Sequence, residues 1–322
     1  MEVSVVVPVR NASEHIRTCV SALEEQTFRD FEVIFVVDIA SIDGSLEMIE
    51  SLKTPLEISI VRQEDGSRLG GARNLGAKSS KGRYVWFCDV DDYPYPYLLE
   101  DAHRIAEERC ASVLFFNHYQ MMGGGIPDVP DREYGVREYR DHSAVGRFDE
   151  LPVYSWSRIQ RKEVLDTEFT DFKAYPAMED LEQTVRTLCV VENVYYYEKP
   201  LYVYKKRLDS ATKENRRKEL EVLEETMTTL ADMIRNDFPN QYPEFRRRMA
   251  TRVMRQSAFA GYSEYMRHRR TTGALELLKE IDGRTLEMKT YLTFKRTYYL
   301  ALFPFTHRIW DRKVGPWGSI DG

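Results

Sequence analysis

The chain has 322 residues, 43% of them hydrophobic, and a formal net charge of −6. This length corresponds to one large domain or two ordinary ones, and the hydrophobic fraction is enough to bury a sizeable core. The negative net charge argues against a general nucleic-acid binder. Four cysteines are scattered without the paired spacing of a zinc site or a disulfide framework, so neither is indicated.

The apolar segments are too short to cross a membrane. The longest near-continuous one covers residues 298–305, far below the roughly 18 residues that a spanning helix needs. The first residues also lack the basic segment that opens a secretory signal peptide. We therefore expect a cytoplasmic protein.

The first hundred residues alternate short apolar segments with segments of helical spacing. Predicted strands cover residues 3–9, 31–37, 58–61 and 84–88, and predicted helices cover 12–26, 45–52 and 70–78. This alternation predicts an α/β fold whose parallel strands are covered on both faces. Ligands of such sheets bind beyond the carboxyl ends of the strands, so the residues that follow these strands are the candidates for a site.

Later parts of the sequence differ in character. Residues 121–148 are rich in glycine, proline and charge, which predicts a long mobile loop. Residues 1–214 are net acidic and residues 215–322 net basic, and we place a domain boundary between them. Helical spacing returns after residue 215, so the C-terminal region is predicted to be mainly helical.

The segment 290–313 interleaves aromatic residues with lysine and arginine. This composition is typical of a segment at a membrane surface and indicates peripheral contact with the cytoplasmic membrane face. The alternative is a helical subdomain that packs on the core or forms an oligomer interface.

Three carboxylates stand together after the fourth predicted strand: Asp89, Asp91 and Asp92. Such groups repel one another unless a hard divalent cation neutralises them, and the cation can then bridge to phosphate oxygens. The cluster therefore indicates a site for a hard divalent cation, which the family resemblance described below identifies as Mn²⁺ or Mg²⁺. An acidic turn before the next helix is the alternative.

Several segments resemble family 2 glycosyltransferases of the GT-A fold, in matching order and spacing. They are PVRN at 8–11, QTF at 26–28, GARN at 71–74, DVDD at 89–92, WSR at 156–158, ED at 179–180 and PLYVYKKRLDS at 200–210. The later segments resemble bacterial and archaeal surface-polysaccharide members. The resemblance implies a Rossmann-like mixed sheet, a GT-A catalytic domain over 1–214 and a helical extension over 215–322. Within the catalytic domain it implies a nucleotide-sugar-binding half (1–115) and an acceptor half (116–214).

The resemblance also implies which residues bind the nucleotide-diphosphate sugar. These residues are Pro8, Val9, Asn11, Asp38, Arg73, Asp89 and Asp91. Asp89, Asp91 and the adjacent Asp92 would hold the metal. Arg73, placed at a predicted helix N-terminus that favours anions, is a candidate for a phosphate or sugar contact. An ion pair with a neighbouring carboxylate is the alternative for Arg73.

Asp180 matches the catalytic base of the family, with Glu179 beside it. An acceptor hydroxyl must lose its proton as it attacks the anomeric carbon opposite the leaving nucleotide, and one displacement with one base inverts the configuration. An acidic pair stabilised by a helix N-terminus is the alternative, and both descriptions can hold together.

Three further residues are candidates for contacts with the acceptor or the diphosphate: Trp156, Arg158 and Arg207. Trp156 is either a platform for an acceptor sugar or a core aromatic residue. Arg207, with Lys205 and Lys206, either closes over the diphosphate or forms a basic strand edge.

The sequence departs from the family pattern at Ile39, where an aspartate is common. That aspartate can accept a hydrogen bond from uracil, and isoleucine cannot. A UDP-sugar is the favoured donor, but another group must then recognise the base, or the donor carries a different base. Ala40 and Arg10 also replace the usual residues.

These observations predict a metal-dependent, inverting glycosyltransferase that acts on a glycan or lipid-linked acceptor. One alternative is a catalytically silent nucleotide-sugar binder or assembly partner, which Ile39 makes plausible. Another is a sugar nucleotidyltransferase. Those enzymes usually carry a glycine-rich loop after the first strand, and residues 9–12 contain no glycine.

Overall fold

The computed structural model describes residues 1–64, 66–121, 125–173, 179–205, 226, 229–249 and 252. Its first part alternates strands and helices as the sequence predicts. The strands are β1 (Val3–Val9), β2 (Phe31–Asp38), β3 (Glu57–Gln63) and β4 (Tyr84–Phe87), and the helices are α1 (Ser13–Glu24), α2 (Ser45–Glu50) and α3 (Arg68–Ser79).

The second part mixes short strands with helices. Its elements are β5 (Tyr93–Pro94), α4 (Leu98–Glu108), β6 (Val113–Met121), β7 (Val136–Tyr139), α5 (Ser143–Gly146), β8 (Arg158–Arg161), α6 (Glu179–Val190) and β9 (Val194–Lys205). Single-turn 3-10 helices cover Phe148–Glu150, Ser155–Ser157 and Lys162–Val164. Residues 229–237 and 242–249 are helical.

The strands of the described residues form one mixed sheet. Their order is β3-β2-β1-β4-β8-β6-β9-β5, and β7 pairs with β9. The first four strands are parallel, whereas β8 runs antiparallel to both β4 and β6, and β9 runs parallel to β6. The carboxyl ends of β1, β2, β4, β6 and β9 therefore meet the amino end of β8 at one edge, which we call the site edge.

Every residue of β1 and β2 is buried, because other elements cover both faces of these two strands. Alternate residues of β1 pack on opposite sides: Val5 joins the cluster that contains α1 and α4, and Val6 joins the cluster under α3. Gly76 lets α3 approach closely, since an added Cβ there would stand 2.2 Å from Val6 Cγ1.

Two features of the fold differ from the sequence prediction. β3 lies at the end of the strand order, and most of its residues are exposed or half-buried, so it is not the buried strand that was predicted. The predicted loop over 121–148 is wrong in its second part, because β7 pairs with β9 and Phe148 is fully buried.

The described residues of the C-terminal region pack on the acceptor half. Leu230, Ile234 and Phe245 are buried in one apolar cluster with residues such as Phe148 and Leu188 of that half. The domain boundary after residue 214 stays a prediction. Segment 290–313 lies outside the described residues. In the part of the chain that the structure covers, no helix combines the length and apolar character needed to span a bilayer.

Candidate active site

The loops after β1 and β2 are tied together at the site edge. Pro8 and Val9 are buried within β1. Asn11 follows with a φ of 48°, a left-handed conformation that asparagine tolerates better than most residues. Its Oδ1 accepts a hydrogen bond from the Ile42 N–H at 2.9 Å, and its own N–H donates to Ser41 Oγ at 3.3 Å. The predicted nucleotide-binding segments thus form one joined surface.

Asp38 ends β2 with only 6% of its surface exposed. Its Oδ1 accepts the Ala40 N–H at 2.9 Å, and its Oδ2 lies 3.5 Å from Arg10 Nε. Ile39 is 58% exposed, and its N–H donates to the Gln63 carbonyl at 3.1 Å. Asp38 therefore both shapes the loop and presents an oxygen beside an arginine, while Ile39 presents an apolar side chain.

The carboxylates after β4 divide into two environments. Asp89 and Asp91 are partly exposed at the site edge. Asp92 is only 3% exposed and is turned inward, where its Oδ2 accepts the Tyr202 hydroxyl at 3.0 Å and its Oδ1 accepts the Lys205 N–H at 2.8 Å. Burial, with Asp89 and Asp91 adding to it, raises the pKa of Asp92 to about 8. Its contacts join the loop after β4 to β9, so Asp92 is placed for anchoring rather than for binding metal.

Arg73 connects the cluster after β4 to the start of α6. Its Nη2 lies 3.2 Å from Asp89 Oδ1, and its Nη1 lies 2.7 Å from Asp180 Oδ1 and 3.5 Å from Glu179 Oε1. The Arg73 side chain is 1% exposed, whereas the Asp180 and Asp89 side chains are 20% and 25% exposed. One buried guanidinium thus holds together the carboxylates predicted to be the base and the first metal ligand.

This ion-pair cluster shifts the proton affinities of its members. Burial raises the pKa of Asp89 to about 6, opposed by Arg73 and reinforced by Asp91 and Asp180. Burial and the nearby Asp180 also raise the pKa of Glu179, against the opposing effect of Arg73. Burial alone would lower the pKa of Arg73, but the surrounding carboxylates raise it overall, so the guanidinium stays charged.

Arg73 lies inside α3 rather than at its beginning. The helix starts at Arg68, so the predicted position at a helix N-terminus is wrong. Gly70 permits close packing of α3 against residues 172–173, since an added Cβ would stand 3.0 Å from Phe172 Cβ and 3.2 Å from the Lys173 carbonyl oxygen. The carboxylates of Asp89, Glu179 and Asp180 hold Arg73 in place. The Phe172 ring packs on it as well, with its centroid 5.4 Å from Arg73 Cζ.

Asp89 and Asp91 fit a hard divalent cation in the chemistry of their oxygen ligands. Burial raises the pKa of Asp89, repulsion from Asp91 and Asp180 adds to the rise, and a bound cation would relieve that repulsion. Among the described residues, no group of three or more His, Cys, Asp or Glu side chains is assembled to hold an ion. A diphosphate is one source of further oxygens for a cation held by Asp89 and Asp91.

Trp156 lies in the core, with 2% of its surface exposed. Its ring stacks between Tyr154 at 4.7 Å and Tyr202 at 4.6 Å, measured between ring centroids. Its carbonyl accepts the Trp86 Nε1–H at 2.9 Å. The core alternative therefore describes Trp156, and its ring is not open to a ligand.

Arg158 is fully buried, so the predicted contact with acceptor or diphosphate does not match its position. It donates to Thr184 Oγ1 at 2.8 Å, to the Tyr154 carbonyl at 3.2 Å and to Gln183 Oε1. Burial lowers its pKa to about 10. Because Gln183 and Thr184 belong to α6, Arg158 fixes the helix that carries Asp180.

Of the predicted basic group, Lys205 ends β9, while Lys206 and Arg207 lie outside the described residues. The residues that sequence reasoning missed are Tyr202 and the two tyrosines at positions 154 and 204. The alternation of β9 over 202–204 could have indicated that two of its tyrosines share one face.

Comparisons with known proteins agree with this architecture. EpsH of Bacillus subtilis (strain 168), a protein named as a glycosyltransferase, is 24% identical over 286 residues, which are 87% of this chain and 80% of EpsH. The structure of S. aureus TarS 1–349 in complex with UDP-GlcNAc matches with a TM-score of 0.60 and 20% identity, over 94% of this chain and 92% of TarS 1–349. Mannosyltransferase PcManGT from Pyrobaculum calidifontis, in complex with GDP-Man and Mn²⁺, matches with a TM-score of 0.54 and 14% identity, over 97% and 88% of the two chains.

These structural matches establish the GT-A glycosyltransferase fold. The sequence model of glycosyl transferase family 2 matches residues 4–169, which is more than half of the chain and includes β1 to β8. The chain belongs to glycosyl transferase family 2.

Proposed function

We propose that this chain is a metal-dependent, inverting glycosyltransferase that moves a sugar from a nucleotide-diphosphate donor to a glycan or lipid-linked acceptor. One observation carries the proposal. A single guanidinium, that of Arg73, contacts both Asp89 and Asp180. The carboxylate suited to the donor's charged end and the carboxylate suited to the acceptor's proton therefore lie side by side at the site edge.

Asp180 is the proposed base. Its carboxylate is partly exposed, so an acceptor hydroxyl can reach it, and Arg73 Nη1 holds its Oδ1 in place at 2.7 Å. A general base needs only to be ionised and within hydrogen-bond reach of the hydroxyl. Glu179 is placed to share the charge of Arg73 rather than to act alone.

Asp89 and Asp91 are the proposed metal ligands. A bound Mn²⁺ or Mg²⁺ would stabilise the negative charge that develops on the departing diphosphate. PcManGT, a structural neighbour, binds Mn²⁺ together with its donor, which supports a similar requirement here.

The donor is proposed to be a nucleotide-diphosphate sugar, as in the two neighbouring structures, which hold UDP-GlcNAc and GDP-Man. Ile39 cannot accept a hydrogen bond from a base. Asp38 and the peptide groups of its loop are then the groups left to distinguish bases, and UDP stays the favoured carrier. The proposed location is the cytoplasm. Peripheral membrane contact through 290–313 and a diphosphate contact from Arg207 remain proposals, since both lie outside the described residues.

A thermal-shift panel tests the proposal: UDP, GDP, CDP, dTDP and ADP, each with Mn²⁺ and with EDTA. A ligand at 100 times its Kd adds about 2.7 kcal/mol to stability, or roughly 5–10 °C in melting temperature. We expect one nucleotide to stabilise the protein in a metal-dependent manner. Product release from the matching sugar nucleotide then separates an enzyme from a silent binder. In a parallel panel of the corresponding triphosphates, stabilisation by a triphosphate alone would instead point to a nucleotidyltransferase. No shift with any nucleotide would contradict both the glycosyltransferase and the nucleotidyltransferase.

A further inference from the structure

The site edge carries an aromatic stack that the proposed chemistry does not use. Tyr154, Trp156 and Tyr204 have nearly parallel rings: Tyr154 lies 4.7 Å from Trp156 at an interplanar angle of 5°, and Tyr204 lies 5.7 Å from Trp156 at 22°. Tyr154 and Tyr204 are themselves 6.2 Å apart at 26°. His118 meets the stack edge-on, 4.7 Å from Trp156.

The members of this stack differ in exposure. Trp156 and Tyr202 are buried, at 2% and 0%, whereas Tyr154 and Tyr204 are partly exposed. The two outer tyrosines, which we call the tyrosine platform, are thus the partly exposed members of the stack and pack on the buried ring of Trp156. The buried part of the stack is fixed, because the Tyr202 hydroxyl is bonded to Asp92. A rigid aromatic surface binds with little loss of conformational freedom.

Contacts of its two tyrosines link the platform to the carboxylates of the site edge. Tyr204 precedes Lys205, whose N–H donates to Asp92 at 2.8 Å. The Tyr154 carbonyl accepts from Arg158 at 3.2 Å, and Arg158 is close enough to Asp180 for their charges to interact. A molecule on the platform would therefore lie near both the cluster after β4 and the proposed base, which Arg73 holds side by side.

The strand order separates the platform from the nucleotide loops. Those loops follow β1 and β2, whereas the platform is carried by β9 and by the segment before β8, with β4 and its carboxylates between. A nucleobase bound by the first loops lies on the far side of the carboxylates. This placement leaves the platform for a sugar ring rather than for the nucleobase.

We propose that Tyr154 and Tyr204 form the subsite for the acceptor sugar, with one face of a pyranose ring lying on the tyrosine platform. The C–H groups on a sugar face carry partial positive charge and suit the electron-rich face of an aromatic ring. This inference rests on the proposed function, because it names the acceptor side of the same site. It transfers to the two outer tyrosines the platform role that the buried Trp156 cannot perform.

Saturation-transfer NMR tests the inference directly. The probes are the methyl β-glycosides of glucose, galactose and N-acetylglucosamine, added to the full chain with the nucleotide found by thermal shift and Mg²⁺. We expect saturation of the C–H protons on one sugar face. Tyr154→Ala and Tyr204→Ala should weaken binding of the responding glycoside about three- to tenfold, because each removes one ring contact.

Matched variants separate ring stacking from a loss of structure. Tyr154→Phe and Tyr204→Phe keep the ring and should retain binding. Tyr119→Ala removes an equal side chain from β6, where its charged neighbour is Arg132 and not a site carboxylate, and it should bind like the wild type. In each alanine variant, a preserved nucleotide-dependent thermal shift shows that the donor side is still folded.

Two results would overturn the inference: equal glycoside binding in the alanine variants, or no saturation of any probe by the wild type with nucleotide bound. Both leave the proposed function standing if nucleotide binding is metal-dependent. Conversely, tyrosine-dependent glycoside binding without any nucleotide binding would overturn the proposed function and retain the sugar subsite.

Discussion

The two halves of the sheet organise their polar groups in different ways. In the nucleotide half, side chains of the first two loops accept backbone N–H groups, as where Asp38 accepts the N–H of Ala40 and Asn11 that of Ile42. In the acceptor half, buried side chains far apart in sequence hold one another, as Arg158 does with Gln183 and Thr184. The loops of the first half are thus tied together through their peptide N–H groups, and the second half is tied together by contacts between side chains.

This contrast has a functional consequence. A loop that satisfies its own peptide groups can present the same surface for the common part of every donor, the nucleotide. In a network of side chains, single residues can be substituted without changing the backbone, and this suits a region that must match a particular acceptor. Arg73 is the junction, since it leaves α3 in the first half and ion-pairs with Asp180 in the second.

The largest effect should follow from breaking the acceptor half at Asp180. Asp180→Asn keeps the shape of the side chain and removes the base, so the rate of transfer should fall roughly 10²- to 10⁴-fold. Nucleotide binding, which belongs to the other half, should be unchanged in the thermal-shift assay.

Asp171→Asn is the matched control for that variant. Asp171 is also partly buried and lies 3.8 Å from Lys78, outside the Arg73 cluster. Its replacement should leave the transfer rate near that of the wild type. Normal turnover in Asp180→Asn, with the donor bound, would exclude Asp180 as the base.

The contrast between the halves also explains what the sequence could predict. β1, β2 and α1 have regular hydrophobic spacing, and the structure has all three close to the predicted bounds. β7 was missed because pairing with β9, about sixty residues away in the chain, stabilises it rather than any pattern of its own.

The site shows the same limit. The candidate residues Arg73, Asp89 and Asp180 could be selected from the sequence by resemblance, and the structure brings them together. The inward turn of Asp92 depends on Tyr202, 110 residues later. The burial of Arg158 likewise depends on α6. Sequence spacing cannot predict such partners, because tertiary packing determines which residues meet.

Arg158→Met should destabilise the acceptor half. Arg158 is fully buried, and the substitution would remove the hydrogen bonds that it donates to Gln183 Oε1 and Thr184 Oγ1. Leaving such groups unsatisfied should lower the free energy of unfolding by about 2–3 kcal/mol. Denaturant unfolding measures this change.

Arg161→Met provides the comparison on the same strand. Arg161 is 24% exposed and donates to the Ala111 carbonyl at 3.2 Å, so its loss should cost less. If Arg158→Met kept wild-type stability and raised only the KM for acceptor, Arg158 would be a substrate contact rather than an anchor of α6.

Acid should weaken metal-dependent nucleotide binding. Burial raises the pKa of Asp89 to about 6, so protons compete with the cation for this carboxylate as the pH falls through that value. Below it, the metal-dependent part of the affinity should fall about tenfold per pH unit. Nucleotide titrations with Mn²⁺ and with EDTA at each pH separate this part from general acid destabilisation. A constant metal-dependent affinity down to about pH 5 would show that Asp89 is not a ligand.

The smallest effect concerns the local order of the nucleotide half. Asp43 accepts the Ser13 N–H at 2.8 Å, where α1 begins, and the Ser45 N–H at 3.1 Å, where α2 begins. Asp43→Ala removes a cap shared by two helices, which should cost about 1 kcal/mol of stability, measured by thermal unfolding. Glu47→Ala, a change of charge in the first turn of α2, should cost less.

Because the cap lies in loops next to Asn11, Asp43→Ala should also weaken nucleotide binding while acceptor binding stays unchanged. An equal loss of both would mean that the two halves do not fold as separately organised regions, and the contrast between local and long-range contacts would lose its functional meaning.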